Sequence, residues 1–89
     1  MDRMQALRGR IDAIDSELVK LFEARMAVVR EIGDYKAANH LPILDAAREE
    51  AKLAAIGSLV EDPANEEPVR DLYRAIFAIS RGAEKGSQT

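Results

Sequence analysis

A chain of 89 residues, 47% hydrophobic and 33% charged, is expected to form one domain and is too apolar for wholesale disorder. Its formal net charge of -3 and isoelectric point near 5.1 argue against a nucleic acid or an anionic membrane as the partner of the whole molecule. The absence of Cys excludes disulfides and thiolate nucleophiles, and a single His leaves no metal cluster. No apolar run approaches the roughly 18 residues of a membrane span, and the N-terminal MDRMQALRGR lacks the apolar core of a signal peptide. The sequence therefore predicts a cytoplasmic protein.

The first predicted element is a long helix over about residues 4–37. Its apolar positions recur every seven residues in two series: Leu7, Ile14, Leu21, Val28, Tyr35, and Met4, Ile11, Leu18, Arg25, Ile32. This periodicity is typical of a helix with one apolar face. No proline interrupts the pattern until Pro42, which predicts a break near residues 39–41.

A second helix is predicted over about residues 45–60. Asp45 is a good N-cap, and Leu53, Ile56 and Val60 recur at helical spacing on its inward side.

A third helix is predicted over about residues 65–84, after a turn that contains Pro63. Its apolar face runs from Val69 to Ile79, and the polar residues 85–89 are expected to form a flexible tail. The expected fold class is thus all-α, with three helices in a single domain over residues 1–89 and no strands.

The length of the first helix predicts a homodimer. A helix of 33 residues is about 50 Å long, whereas a compact chain of this size has a radius of gyration near 12 Å. The helix must project beyond its own globule, and the simplest cover for a projecting apolar face is a second copy related by a two-fold axis.

Two cations interrupt or flank the apolar face of this helix. Arg25 is the one charge in the two sevenfold series, and a buried guanidinium needs an anion. That anion is either a carboxylate across the dimer interface or a ligand. Lys36 lies eleven residues later on almost the same face, about 16 Å further along, and is either a solvent-seeking lysine at a helix end or a second ligand contact.

Further polar residues fall on faces that are otherwise apolar. Three- and four-residue spacing places four charges on one side of the second helix: Asp45, Arg48, Glu49 and Lys52. Ser80 and Glu84 follow the apolar face of the third helix, where a serine ordinarily bonds back to the preceding turn and a terminal glutamate is ordinarily solvated. His40 is expected to be an exposed loop residue without a role. Together these positions indicate a pocket in which Arg25, Lys36 and Arg48 converge on a small polyanion. No nucleophile with a plausible base and no glycine-rich phosphate loop accompanies them.

Two segments resemble a known family. The run LRGRIDAIDSELVKLFEARMAVVREIGDYK and the later LPILDAAREE are similar to the all-helical chorismate mutases, which carry L-R-x-x-I-D-x-I-D followed by P-I-x-D-x-x-R-E. The resemblance covers about residues 7–84. It implies an intertwined helical homodimer that converts chorismate to prephenate, at the branch point to phenylalanine and tyrosine, without a cofactor.

The resemblance also implies roles for individual residues. Arg25 matches the arginine that binds a substrate carboxylate, and Lys36 the lysine that contacts the ether oxygen and a carboxylate. Arg8 matches an arginine supplied by the other subunit. The remaining positions match groups that organise the second helix, hold the ring hydroxyl or lie near a carboxylate: Asp45, Arg48, Glu49 and Ser80.

Arg8 allows an independent check of the dimer. It precedes Arg25 by 17 residues, so on one straight helix the two lie about 25 Å apart and roughly 100° out of phase. They cannot hold one small ligand within a chain. An antiparallel partner helix that crosses near residue 17 would bring them together.

Glu84 departs from the family pattern, in which many bacterial members have a glutamine that donates to the ether oxygen. An ionised glutamate only accepts hydrogen bonds, so the same role requires the protonated acid. We therefore expect activity to fall as pH rises. The alternative is that the third helix frays and Glu84 never reaches the pocket.

Other functions stay open at this point. An isochorismate pyruvate lyase uses a similar pocket, and a non-catalytic helical dimer could regulate a partner enzyme. The chain could also be a mutase domain fused to, or docked on, another enzyme of the pathway.

Overall fold

The computed structural model describes residues 2–86, and this part of the chain contains three α-helices, one short 3-10 helix and no strand. The helices are α1 (Arg3–Ala38), α2 (Ala46–Gly57) and α3 (Glu66–Gly86), with the 3-10 helix at Pro63–Asn65. Helix α3 packs against both α1 and α2. The predicted all-α fold class with three helices is confirmed.

Helix α1 is a single uninterrupted element of 36 residues. It begins after Asp2, whose Oδ1 accepts a hydrogen bond from the backbone N–H of Gln5 at 2.8 Å. The molecule measures 56 × 26 × 14 Å, and its radius of gyration of 16.5 Å exceeds the roughly 12 Å of a compact chain. The helix therefore projects beyond the globule, as its length predicts.

Helix α1 exposes most of its apolar face along its whole length. We call this surface the α1 stripe; it consists of Met4, Ile11, Ile14, Leu18, Leu21, Val28, Ile32 and Tyr35, each between 42% and 68% exposed. A contiguous apolar surface of this length is unusual for a monomer. The homodimer stays a prediction, and the stripe is the surface that it would cover.

The core is small and lies where the three helices meet. Val29 of α1, Ile56 of α2 and Phe77 of α3 are its buried hydrophobic residues among those described. Tyr73 packs edge-on against Phe77, with 5.9 Å between the ring centroids. One face of α3 thus holds α1 and α2 together.

Two helix ends differ from their predicted positions. Helix α2 ends at Gly57 rather than near residue 60, because Ser58 caps it: the Ser58 N–H donates to Ala54 O at 3.2 Å and its Oγ to Ala55 O at 2.7 Å. Helix α3 continues through Gly86, so residues 85 and 86 are helical instead of belonging to a tail. Residues 87–89 of that predicted tail lie outside the described residues.

The helices do not have the character of membrane spans. Within residues 2–86, none combines the length and the apolar composition that crossing a bilayer requires.

The C-terminus of α1 closes on a left-handed residue. His40 has φ 54°, its N–H donates to Ala37 O at 3.4 Å, and the next N–H, of Leu41, donates to Lys36 O at 2.9 Å. These two bonds define a Schellman motif, in which glycine is the favoured residue at the left-handed position. A side chain with a Cβ is disfavoured there by about 1–2 kcal/mol.

His40→Gly is expected to raise the free energy of unfolding by about 1 kcal/mol, because glycine adopts this conformation without a steric penalty. For a domain of this size the midpoint of thermal unfolding should rise by about 4–8 °C. Asn39→Gly is the control: Asn39 has φ -110° and its Nδ2 donates to Tyr35 O at 2.8 Å, so glycine relieves no strain there and removes one hydrogen bond. A His40→Gly protein no more stable than the parent would contradict this account.

Candidate active site

A cavity of about 220 Å³ lies between α1, α3 and the beginning of α2. Its volume is below the roughly 300–1,000 Å³ of drug-sized ligand pockets, so it suits one small molecule. Its walls include seven of the eight predicted site residues: Arg25, Lys36, Asp45, Arg48, Glu49, Ser80 and Glu84. Apolar side chains complete the lining: Val29, Ile32, Ile43 and Phe77.

Arg25 enters the cavity from the middle of α1. Its Nη1 donates to Ser80 Oγ at 2.6 Å, and its guanidinium carbon lies 6.0 Å from the centre of the Phe77 ring. The described part of its own chain gives Arg25 no carboxylate partner. Most of its N–H donors are left for a ligand.

Ser80 is buried and orients this arginine. Its hydroxyl donates to Ile76 O at 2.7 Å, which is the bond back to the preceding turn that the sequence predicts. Since the single hydroxyl proton is used there, the oxygen accepts from Arg25. The serine thereby fixes the direction in which the guanidinium points.

Lys36 and Glu84 form an ion pair at the other end of the cavity. Lys36 Nζ lies 2.7 Å from Glu84 Oε1 and donates to Ile43 O at 2.9 Å. The Lys36 side chain is 19% exposed and that of Glu84 is 9% exposed. Two of the alternatives are therefore wrong. Lys36 does not extend into solvent, and the third helix does not fray before Glu84.

The first turns of α2 bring a further set of charges to the cavity. Asp45 caps the helix by accepting from the Arg48 N–H at 3.0 Å. Glu49 accepts two hydrogen bonds from Arg81 Nη1, at 2.5 and 2.6 Å. The side chains of Arg48 and Lys52 line the cavity and make no hydrogen bond or ion pair with the described residues.

Two charged lining residues were not predicted as site residues. Arg81 was missed altogether. Lys52 was placed on the charged face of the second helix, with Asp45, Arg48 and Glu49, but was given no role. The spacing did contain a signal for Arg81, because it lies four residues after Phe77 and three before Glu84. Residues at these separations share one face of a helix.

Arg8 is the predicted site residue that the cavity does not include. It is exposed on the same straight helix as Arg25, 17 residues earlier, a separation of about 25 Å. Within one chain it is out of reach of the cavity.

The lining has the charge of an anion site. It contains five cationic and three acidic side chains, an excess of two positive charges. The Ser80 hydroxyl is not arranged as a nucleophile, because it donates to the backbone carbonyl of Ile76 and accepts from Arg25. The arrangement can bind and orient a small dianion and stabilise negative charge that develops on it.

Comparison with known proteins agrees with this geometry. A family model described as chorismate mutase type II matches residues 7–85. The solved structure of a chorismate mutase (Form II) from Thermus thermophilus is similar, with a TM-score of 0.89 and 34% sequence identity. That similarity covers 94% of this chain and 96% of the Thermus chain.

A longer relative contains a similar segment. The T-protein of Haemophilus influenzae is 40% identical over 55 residues, which make up 62% of this chain. The matched segment is 15% of the T-protein, so this chain spans only a small part of that relative.

Proposed function

This chain belongs to the chorismate mutase type II family, and on that premise we propose that it converts chorismate to prephenate in the cavity between its three helices. The observation that carries the proposal is Arg25, a half-buried guanidinium that faces the cavity and has no carboxylate partner in the described chain. Chorismate has two carboxylates, and the cavity has more cationic than acidic side chains.

The reaction needs positioning and electrostatics alone. In the Claisen rearrangement the ether C–O bond breaks as a new C–C bond forms within the same molecule, so no proton transfer or covalent intermediate is required. The enzyme must hold the enolpyruvyl ether in its reactive conformer and stabilise negative charge on the ether oxygen.

Arginine side chains are proposed to hold the two carboxylates. Arg25 takes one, with its guanidinium oriented by Ser80, and Arg8 of the partner subunit takes the other. A planar guanidinium can form two parallel hydrogen bonds to a carboxylate, which fixes the angle of the substrate as well as its position.

Lys36 and Glu84 are proposed to act on the ether oxygen. Both groups lie at one end of the cavity, with 2.7 Å between Lys36 Nζ and Glu84 Oε1. The substrate must therefore compete with Glu84 for the hydrogen-bond donors of Lys36. Protonated Glu84 can donate to the ether oxygen beside Lys36, whereas the ionised form would repel the charge that develops there.

The start of α2 is proposed to hold the substrate ring. Asp45 fixes the first turn through its cap, Glu49 accepts the hydrogen bond of the ring hydroxyl, and Arg48 faces the substrate with an unpaired guanidinium. These roles follow the family pattern position by position.

The dimer is proposed on two independent features of α1. The α1 stripe is an exposed apolar surface, and Arg8 is too far from the cavity of its own chain. An antiparallel partner helix that crosses near residue 17 would cover the stripe and deliver Arg8 to the opposite cavity.

We also propose that residues 1–89 form an independent mutase domain that either acts alone or is joined to, or docked on, another enzyme of aromatic amino acid biosynthesis. The Haemophilus T-protein supports this, since its similar segment is a small part of a longer chain.

Arg25→Ala is expected to lower kcat/KM for chorismate at least about 100-fold, the loss typical of one preorganised donor. It is a cleaner probe than a Lys36 variant, which would leave buried Glu84 without its counter-ion. The measurement is the loss of chorismate absorbance in the ultraviolet, with prephenate identified as the product. Arg30→Ala, exposed on the opposite side of α1, is the control and should retain parental activity.

Two results would count against the assignment. A parent protein that leaves chorismate unchanged, or that releases pyruvate from isochorismate instead, would overturn the activity. An Arg25→Ala protein with parental rates would overturn the site.

If each site takes Arg25 from one subunit and Arg8 from the other, two inactive variants should complement each other. Arg8→Ala and Arg25→Ala should each be nearly inactive, but a mixed dimer contains one site with both native arginines. After unfolding and refolding together, random pairing should restore about a quarter of parental activity. Leu21→Glu, which places a charge on the α1 stripe, should abolish this recovery, whereas Leu59→Glu, exposed outside the stripe, should not. No recovery with folded, dimeric partners would contradict a shared site.

Glu84→Gln is expected to keep kcat/KM for chorismate within about tenfold of the parent, because the glutamine amide carries a donor for the ether oxygen. Glu84→Leu has no donor and should lose at least about 100-fold. The measurement is the ultraviolet assay of chorismate loss, with a thermal unfolding curve for each variant because both remove the partner of Lys36. A folded Glu84→Leu protein with parental kcat/KM would refute the role of Glu84.

A further inference from the structure

The ion pair between Glu49 and Arg81 is unusual within this molecule. Among residues 2–86 it is the one ion pair that joins α2 to α3. The ion pairs within α3 join residues three or four positions apart, such as Arg74 and Asp71. A single nitrogen, Arg81 Nη1, donates to both carboxylate oxygens of Glu49.

The pair sits in the wall of the cavity. Both side chains line it, and they are 34% exposed for Arg81 and 26% for Glu49. An ion pair at this exposure adds little to stability, on the order of 0–1 kcal/mol. Its location therefore points to ligand binding more than to folding.

Glu49 poses a problem for binding a dianion. A carboxylate in the wall repels the carboxylates of the substrate, yet it is the acceptor proposed for the ring hydroxyl. The guanidinium of Arg81 offsets the charge of Glu49 and holds both oxygens in one orientation, while each oxygen retains a lone pair to accept a further hydrogen bond.

We propose that Arg81 is a positioning residue, which orients and neutralises Glu49 so that this carboxylate accepts the ring hydroxyl of the substrate without repelling its carboxylates. The inference rests on the proposed mutase function, and Arg81 itself need not touch the substrate. The ring hydroxyl is not attached to the breaking bond, so this contact is equally strong in the bound substrate and in the transition state. Its loss should therefore appear in KM, with little change in kcat.

The test is chorismate turnover by Arg81→Met, Arg81→Lys, Glu49→Gln and the Arg81→Met/Glu49→Gln double variant, each with its thermal unfolding curve. Arg81→Met should raise KM about tenfold or more and change kcat less than about threefold, as expected for a hydrogen bond to a charged group. Arg81→Lys should stay within about threefold of the parental KM, because one nitrogen makes both native contacts.

The double variant shows whether Arg81 acts through Glu49. Its KM should lie within about threefold of Glu49→Gln alone, since no carboxylate is left to orient or neutralise. Arg74→Met, which removes an ion pair from an exposed part of α3, is the control and should leave both kinetic constants unchanged.

Each alternative outcome has a distinct meaning. A parent protein without mutase activity overturns the proposed function itself. With an active parent, an unchanged KM in Arg81→Met, or additive effects in the double variant, overturns the inference. A variant that loses kcat together with its unfolding midpoint indicates a structural tie between helices and also overturns it. If Arg81→Met does not fold, folded Arg81→Lys and Glu49→Gln decide: a parental KM in the first with a raised KM in the second supports the inference, and any other combination overturns it.

Discussion

The continuity of α1 is the constraint on which the other features depend. An uninterrupted helix of 36 residues is too long for the globule that its own chain can build. It leaves an apolar stripe in solvent along most of its length, and near its C-terminal end it carries Arg25 and Lys36 into one cavity at a fixed spacing. A break between these two residues would release both from a common rigid support.

The cavity holds its five cations in three different states. Lys36 and Arg81 are paired with Glu84 and Glu49, whereas Arg25 is held by a neutral hydroxyl. The side chains of Arg48 and Lys52 make no hydrogen bond or ion pair with the described residues. A neutral partner orients the guanidinium without cancelling its charge, so its attraction for an anion remains. In the proposed mechanism Arg81 places the carboxylate of Glu49, whereas Lys36 and Glu84 both act on the ether oxygen. The wall thus contains positions that attract a dianion and positions that discriminate among its polar groups.

The sequence pattern within each helix predicted the features that depend on that helix alone. The sevenfold series gave the length of α1 and the exceptional position of Arg25, and the cap at Asp45 located the start of α2. Features that depend on contacts between helices were harder to predict from the sequence. The close approach of α3 to Gly57 is one example: a Cβ on this residue would lie 2.5 Å from Arg70 Nη2, a contact that no pattern within α2 reveals.

Arg81 and Glu84 illustrate the same division. Both share a helical face with Phe77, so their direction could be read from spacing, but their partners lie 32 and 48 residues away in the chain. The left-handed conformation of His40 could not be predicted from the sequence for another reason. The sequence signals a helix end through Pro42, but the Schellman bonds require a conformation that histidine does not favour, and only the backbone geometry shows that it is adopted.

The small core gives the dimer a second role. Val29, Ile56 and Phe77 are few buried hydrophobic residues for 85 described positions, and a single chain of this size buries only modest apolar area. A partner that covers the α1 stripe would add burial at about 25 cal/mol per Å² and would bring Arg8 to the cavity in the same step. Folding, association and completion of the site would then share one interface. A mutation in the stripe would consequently reduce activity and stability together, even though no stripe residue except Ile32 lines the cavity.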